Sequence, residues 1–408
     1  MQVELPSSQE LSDFRAWVNI TKSGIGLLVL MMPRAFASVG IVPGCMGVAL
    51  ACAANMWGIA AVAKCRAKVE HGGTRESDPL SRMESPPQPK RELLEPMWDS
   101  GYGYLDKVVA ISMGTRAQLL CVASLLGNAF ACGVSFVATL FLSLPRDFPD
   151  LQPHGAVLAT GFILMALSLT NRLRYVAFLS AAALLMYVVL IACLLPEAAQ
   201  HRATHFRLEW WKTQGRDYGT LFALVIMLFT SLPVCDLCFR EMQNKSHFVH
   251  VASGGYLATL LLGMFVGLVG YVGYGYEAEE VIYLNFTGLT GRICAVVATV
   301  VLMVSYLLQQ VPLFMFLQAQ LPGVHYIIIN STVVWLEVFV AYALHDVTTC
   351  VETLGLTFAL LVCCFFPCLA FLSMSHRYER VEQCVSVATI LLGVVCGAAA
   401  YASALSRP

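Results

Sequence analysis

Two short stretches of this 408-residue chain place flexible and polar residues inside long apolar runs. The first is Lys22, Ser23, Gly24, Ile25 and Gly26, followed by Pro33; the second is Phe229, Thr230 and Ser231, followed by Pro233. Glycine and proline loosen or break a helix. In hydrocarbon an unwound turn survives only where protein, water or a bound group satisfies the freed amides and carbonyls. The positive end of a half-helix can then hold a carboxylate, while freed carbonyls hold an amine or a cation. Such a pairing of charges suits an amino acid zwitterion. Each interrupted helix opens a set of five, and interruptions at corresponding places in two halves point to a secondary-transporter site.

Glu337 lies near the middle of YIIINSTVVWLEVFVAYAL (Tyr326 to Leu344). A carboxylate at the bilayer centre costs about 2.5 to 3.5 kcal/mol on insertion scales, so it must face protein or water and be neutralised by a proton or a basic partner. It is a candidate for carrying a coupled proton, or else a structural carboxyl paired to an Arg or a hydroxyl. Arg34 reads as a side chain snorkelling from the outer half of the first helix. Cys235 and Cys238 have redox-motif spacing but lack the rest of a redox or zinc unit, so they read as packing residues. Gly263 and Gly267 read as a small-xxx-small packing pair. His201 and His205 have no nearby partner ligands, so no metal is expected, and His345 with Asp346 reads equally well as a sensor of external pH or as a solvated helix end. No Ser/His/Asp order, paired Asp motif or His-Glu-x-x-His is present. Those absences argue against an enzyme and against a cofactor.

The elements that must position these residues follow from composition. Apolar residues make up 58% of the chain and charged ones 12%, with a mean hydropathy of +0.70. A water-soluble surface of this size could not accommodate that balance. A net charge of -1 without a basic patch gives no footprint for nucleic acid. Runs of about 20 apolar residues predict membrane helices over 15–39, 42–65, 114–144, 154–170, 173–196, 217–239, 250–275, 288–317, 325–345, 348–373 and 382–405, eleven in all. These runs lack two-residue alternation, which excludes a barrel. The fold class is therefore an all-α membrane protein.

With a cytoplasmic N-terminus, inner segments collect sixteen Lys and Arg and outer segments seven, although the outer loop 197–217 alone holds four. Residues 1–14 read as an N-terminal cytoplasmic tail without the positive start and apolar run of a cleavable signal. Residues 66–107 read as a cytoplasmic linker, rich in charge and proline between Glu70 and Pro96. The 15 cysteines lie mostly in apolar runs, so no disulfide framework is expected. Of the sequons at Asn19, Asn244, Asn285 and Asn330, Asn285 alone falls outside and clear of a helix, which makes it the glycosylation candidate.

Several motifs in order resemble the amino acid/auxin permease family. KSGIGLLVLMMPRAFASVG (Lys22 to Gly40) looks like its opening signature, and SLTNRLRYVAFLS (Ser168 to Ser180) is similar to its stretch between helices four and five. REMQNKSHF (Arg240 to Phe248) resembles the segment after helix six. GLVGYVGYGYEAEEVIYLNF (Gly267 to Phe286) looks like its most recognisable run, and SYLLQQVP (Ser305 to Pro312) matches its helix eight. The likeness covers helices one to eight; beyond them it is hydropathy and spacing.

The resemblance implies a 5+5 inverted-repeat, LeuT-like fold with discontinuous helices one and six. The repeats would span 15–196 and 217–373, with an extra helix at 382–405, all in a single transporter domain over 15–405. It implies amino acid transport coupled to a proton or, less readily, a sodium gradient, in the plasma membrane or a vacuolar or lysosomal membrane. Carried over residue by residue, the substrate contacts would be Ser23, Gly24, Ile25 and Gly26 in the first helix and Phe229, Thr230 and Ser231 in the sixth. Tyr306 would line the path, and Glu337 and Lys22 would be the coupling candidates. Family members usually carry a second small residue two positions after the glycine matching Gly26, and here Leu27 and Leu28 follow. That departure keeps open an amino acid sensor built on the same fold.

Overall fold

The computed structural model describes residues 11–72, 104–147, 153–169, 173–201, 209–211, 218–344, 356–375 and 378–405. Among these the regular structure is helical, as lipid demands of a backbone that must satisfy its own polar groups. In chain order the helices are α1 (Asp13–Gly24), α2 (Leu27–Val39), α3 (Ile41–Gly72), α4 (Tyr104–Met113), α5 (Thr115–Asp147), α6 (Pro153–Ser168) and α7 (Leu173–Gln200). There follow α8 (Tyr218–Leu228), α9 (Leu232–Glu241), α10 (Phe248–Tyr274), α11 (Gly288–Gln320) and α12 (Tyr326–Leu344). The last two are α13 (Leu356–Met374), which contains a π turn at Leu361–Phe365, and α14 (Arg380–Leu405).

Among the described residues nine spans, with α8 and α9 counted together, are long and apolar enough to cross a membrane. α1 and α2 form a tenth as a pair bent by 44°. The run expected at 154–170 is realised as α6, whose 16 residues reach about 24 Å at 1.5 Å each, short of a hydrocarbon core of roughly 30 Å. Length and composition thus support nine spans, or ten with the bent pair, against the eleven expected. The expected linker at 66–107 is trimmed at both ends: α3 continues to Gly72 and α4 begins at Tyr104. Its remainder, the first ten residues of the tail, and His205, His345 and Asp346 lie outside the described residues.

Large apolar side chains face outward all round the bundle, among them Phe178, Leu185, Leu289 and Phe339. In a helix that meets lipid this is the favourable orientation. Inside, α2 packs mainly on α10, and α11 on α5 and α7. Between α2 and α3 the chain turns at Gly40, whose φ of 93° is a conformation that suits glycine alone. There a Cβ would stand 3.0 to 3.1 Å from the backbone of Glu209 and Trp210, a tight contact.

Basic residues share one end of the bundle. Lys64 pairs with Glu382 at 2.5 Å and Lys68 with Glu379 at 2.6 Å. Arg66 stacks over Phe239 at 3.7 Å, and His247 meets Asp13 at 2.8 Å. A single bridge between Leu11 and Met242 ties the start of α1 to the end of α9 at that same end. At the opposite end Arg34 is exposed and donates to the carbonyls of Tyr276 and Ala278 at 3.2 and 3.3 Å. Arg34 therefore anchors a loop where the sequence suggested a snorkelling side chain.

Candidate functional site

The first span breaks where the sequence is most flexible. α1 ends at Gly24, Ile25 and Gly26 leave the helical conformation, and α2 starts at Leu27. Three carbonyls at the break accept from side chains of the chain itself. Gln309 Nε2 donates to Ser23 O at 2.9 Å, Lys22 Nζ to Ile25 O at 2.8 Å, and the Tyr187 hydroxyl to Gly26 O. Lys22 Nζ also donates to Ser305 Oγ and stands 5.9 Å from the Tyr187 ring centre. Lys22 is completely buried, and its amine takes the place among the freed carbonyls where the sequence suggested an amine or a cation. The amides of the first turn of α2 carry the positive end of that half-helix at the same break.

The two glycines of the break do different things. A methyl at Gly26 would meet Phe136 at 3.5 Å and Ser305 Oγ at 3.6 Å, ordinary contact distances. At Gly24 it would run into Thr259 at 2.6 Å, so Gly24 lets α1 approach α10. Gly263 and Gly267 act in the same way: they admit Leu228 and Phe36 against α10, as a packing pair should.

The second span is interrupted over residues 229–231. Thr230 Oγ1 turns back to Ile226 O at 2.8 Å, and Pro233 opens α9 near its first position, where a missing N–H costs nothing. Ser231 donates its hydroxyl to Tyr256 at 2.9 Å, and the Phe229 ring meets Tyr256 edge-on at 5.8 Å. Tyr256 and Thr259 occupy one turn of α10, so that turn touches both breaks. Ser23, Ile25, Phe229, Thr230 and Ser231 are all buried from solvent. Two half-helix N-termini, α2 and α9, thus start from buried gaps beside a common wall. Such an arrangement can accept a carboxylate on its amides, with hydroxyls and an ammonium close by.

Tyr306 is placed differently from the rest. Its hydroxyl donates to Glu337 Oε2 at 2.6 Å, in a compartment among α5, α11 and α12. Glu337 is completely buried, and its partner is a hydroxyl, one of the two structural pairings foreseen for it. Asn285 holds its own loop together, accepting from Glu279 N at 2.9 Å and donating to Glu277 O at 2.8 Å. Asn19 and Asn330 are buried within α1 and α12. Cys235 and Cys238 are buried free thiols in α9, and His201 rests on the Tyr274 ring at 5.1 Å. A small, mostly apolar cavity lies among α3, α8, α13 and α14, lined by Gly47, Ala51, Asn55, Phe222, Ile226 and Cys364, and at Ile226 it comes within one helical turn of the second break. It offers a zwitterion almost nothing polar to bind.

The sequence reading missed the walls of the first break: Phe136, Tyr187, Ser305 and Gln309. A signal for two of them was available, since Ser305 and Gln309 are four apart in an apolar helix and so share one face. Phe136 and Tyr187 sit in runs where aromatic residues are commonplace, and nothing in their spacing marks them.

A family profile described as transmembrane amino acid transporter protein matches residues 9–406. Among curated proteins, the amino acid transporter AVT1E of Arabidopsis thaliana is 22% identical over 321 residues, which cover 72% of this chain. The chain spans 60% of the length of that relative.

Proposed function

From the premise that this chain belongs to the transmembrane amino acid transporter family, a family of membrane transporters and not of enzymes, we propose that it is a secondary active transporter. It moves amino acids across a membrane by alternating access, driven by a proton gradient. The observation that carries this reading is the pair of buried interruptions, 25–26 and 229–231, set against one turn of α10. Ser23, Gly24, Ile25, Gly26, Phe229, Thr230 and Ser231 bind the substrate's amino and carboxylate groups, and Tyr306 belongs to the lining of the path through its place on α11.

The same reading assigns the chain a 5+5 inverted-repeat architecture. The repeats are 15–196 and 217–373, α14 is the extra helix, and the stretch between α3 and α4, 73–103, links two spans on the cytoplasmic side with the N-terminus. The clustering of Lys64, Arg66, Lys68, Arg240 and Lys245 at one end supports that orientation. The membrane is the plasma membrane or that of a vacuole or lysosome. Proton coupling is favoured over sodium because the first break already holds a cation, Lys22, within hydrogen-bond reach of Ile25 O and Ser305 Oγ. Lys22 and Glu337 are the coupling groups.

Uptake of labelled amino acids into liposomes carrying the purified protein, with imposed pH or sodium gradients, tests the proposal. Substrate-dependent accumulation that follows the pH gradient is the expected result. Saturable binding without flux across a broad amino acid panel would replace the transporter with a sensor.

A further inference from the structure

α11 carries two polar stripes side by side. Ser305 and Gln309 turn toward the break in the first span. Tyr306 and Gln310, each one residue further round, turn toward α5 and α12. The second stripe meets Glu337 in a sealed compartment, where all three side chains are completely buried. Tyr306 donates to Glu337 Oε2 at 2.6 Å, and Gln310 Nε2 donates to Ala129 O at 2.8 Å. Because a carbonyl only accepts, that second bond fixes which end of the amide is nitrogen. One turn along α5 from Ala129 lies Gly133, where a methyl would overlap both the Glu337 carboxyl and the Gln310 amide. A residue without a side chain is what lets acid and amide meet.

The hydrogens in this compartment do not balance. Glu337 Oε1 and Gln310 Oε1 are buried acceptors without a donor. Among the described residues no Lys, Arg or His pairs with Glu337. The titratable groups that face it are Tyr306 on α11 and Cys132 on α5, and neither supplies positive charge. A buried ionised carboxylate would be left uncompensated. One hydrogen on Glu337 removes that charge.

We propose that Glu337, Tyr306, Gln310 and Gly133 form a proton-holding site in the scaffold, separate from the substrate cradle and from Lys22, with Gln310 as a positioning residue. The inference rests on the transporter reading and, of the two coupling groups named there, assigns the coupled proton to Glu337 and this cluster, leaving Lys22 to the break in the first span. Two of the three helices that build it also wall the first break, α5 through Phe136 and α11 through Ser305 and Gln309. Loss of the proton therefore acts on the same walls that face Gly26.

The test uses the full chain, purified and reconstituted. Infrared difference spectra between acid and alkaline buffer are expected to show a carboxylic acid C=O band that Glu337→Gln removes. Tyr306→Phe moves the band to higher frequency, because the carbonyl oxygen loses its donor. In liposomes Glu337→Gln abolishes acid stimulation of uptake while substrate exchange between two loaded sides continues. Gln310→Leu displaces the half-maximal pH of uptake by about one unit, a tenfold change in proton affinity equivalent to one net hydrogen bond. A Glu337→Gln variant whose band and pH profile both match the wild type overturns the proposal, as does the absence of the band from the wild type. A band assigned to Glu337 in a protein that moves no amino acid keeps the proton site and defeats the transporter reading instead.

Discussion

Replacing Lys22 with Met separates what the ammonium does for stability from what it does for transport. The methionine keeps an unbranched side chain and removes the charge. Removing a buried charge from mid-membrane returns about 2.5 to 3.5 kcal/mol. Against this, Ile25 O loses its donor at 2.8 Å and Ser305 loses a charged partner. A charge-assisted bond contributes about 1.5 to 3 kcal/mol, and leaving the carbonyl bare costs about 1 to 3 kcal/mol. These terms oppose one another, so the unfolding midpoint in detergent should move by only a few degrees in either direction. Flux should be lost, because Ile25 O then turns into the gap and the break has no cation of its own. Thermal unfolding by intrinsic fluorescence, together with uptake into liposomes, reads both effects on one preparation. Wild-type uptake in a stable variant would refute the role given to Lys22, and collapse of the fold would show that the ammonium is chiefly structural.

Other residues of the first break make separable predictions. Tyr187→Phe strips Gly26 O of its donor and should destabilise the protein by about 1 to 3 kcal/mol, measured as a lowered unfolding midpoint. Gly24→Ala overpacks the contact with Thr259 and should cost about 1 to 3 kcal/mol, and the double change with Thr259→Ala should recover most of it. Gly26→Val should leave the protein folded but abolish amino acid binding, read by ligand-dependent thermal shift, since only its branches reach past the ordinary contacts with Phe136 and Ser305. If the loop after α10 faces a glycosylating compartment, Asn285→Gln should remove a glycosidase-sensitive gel shift that Asn19→Gln, Asn244→Gln and Asn330→Gln retain; a glycosylated Asn285 amide keeps one hydrogen for Glu277 O.

How much of this was legible follows from what each signal depends on. The spans were legible because a lipid-crossing helix needs an uninterrupted apolar run, and so were the two breaks, because Gly24, Gly26 and Pro233 alter local backbone preference whatever surrounds them; Pro33 gave no break and lies within α2. The occupants of the freed carbonyls were not. Gln309 and Tyr187 lie hundreds of residues from the break or in runs of similar composition, and only tertiary packing brings them to Ser23 and Gly26. Tyr306 shows the limit most sharply. It is adjacent to Ser305, but one residue of helix is a turn of about 100°, which sends its hydroxyl to Glu337 while Ser305 faces Lys22. The short α6 escaped for another reason, since the apolar run at 154–170 does not reveal that its helix stops at Ser168.

The central claim is that the gaps at 25–26 and 229–231 form one cradle for a zwitterion. A cryo-electron microscopy map of the protein, prepared with whichever amino acid the uptake panel selects, tests it most directly. The account predicts density for the bound amino acid between these two breaks, its carboxylate at the first amides of α2 and its amine toward the second break. Density lodged in the apolar cavity among α3, α8, α13 and α14, or against a first or second span that has become continuous, would contradict it.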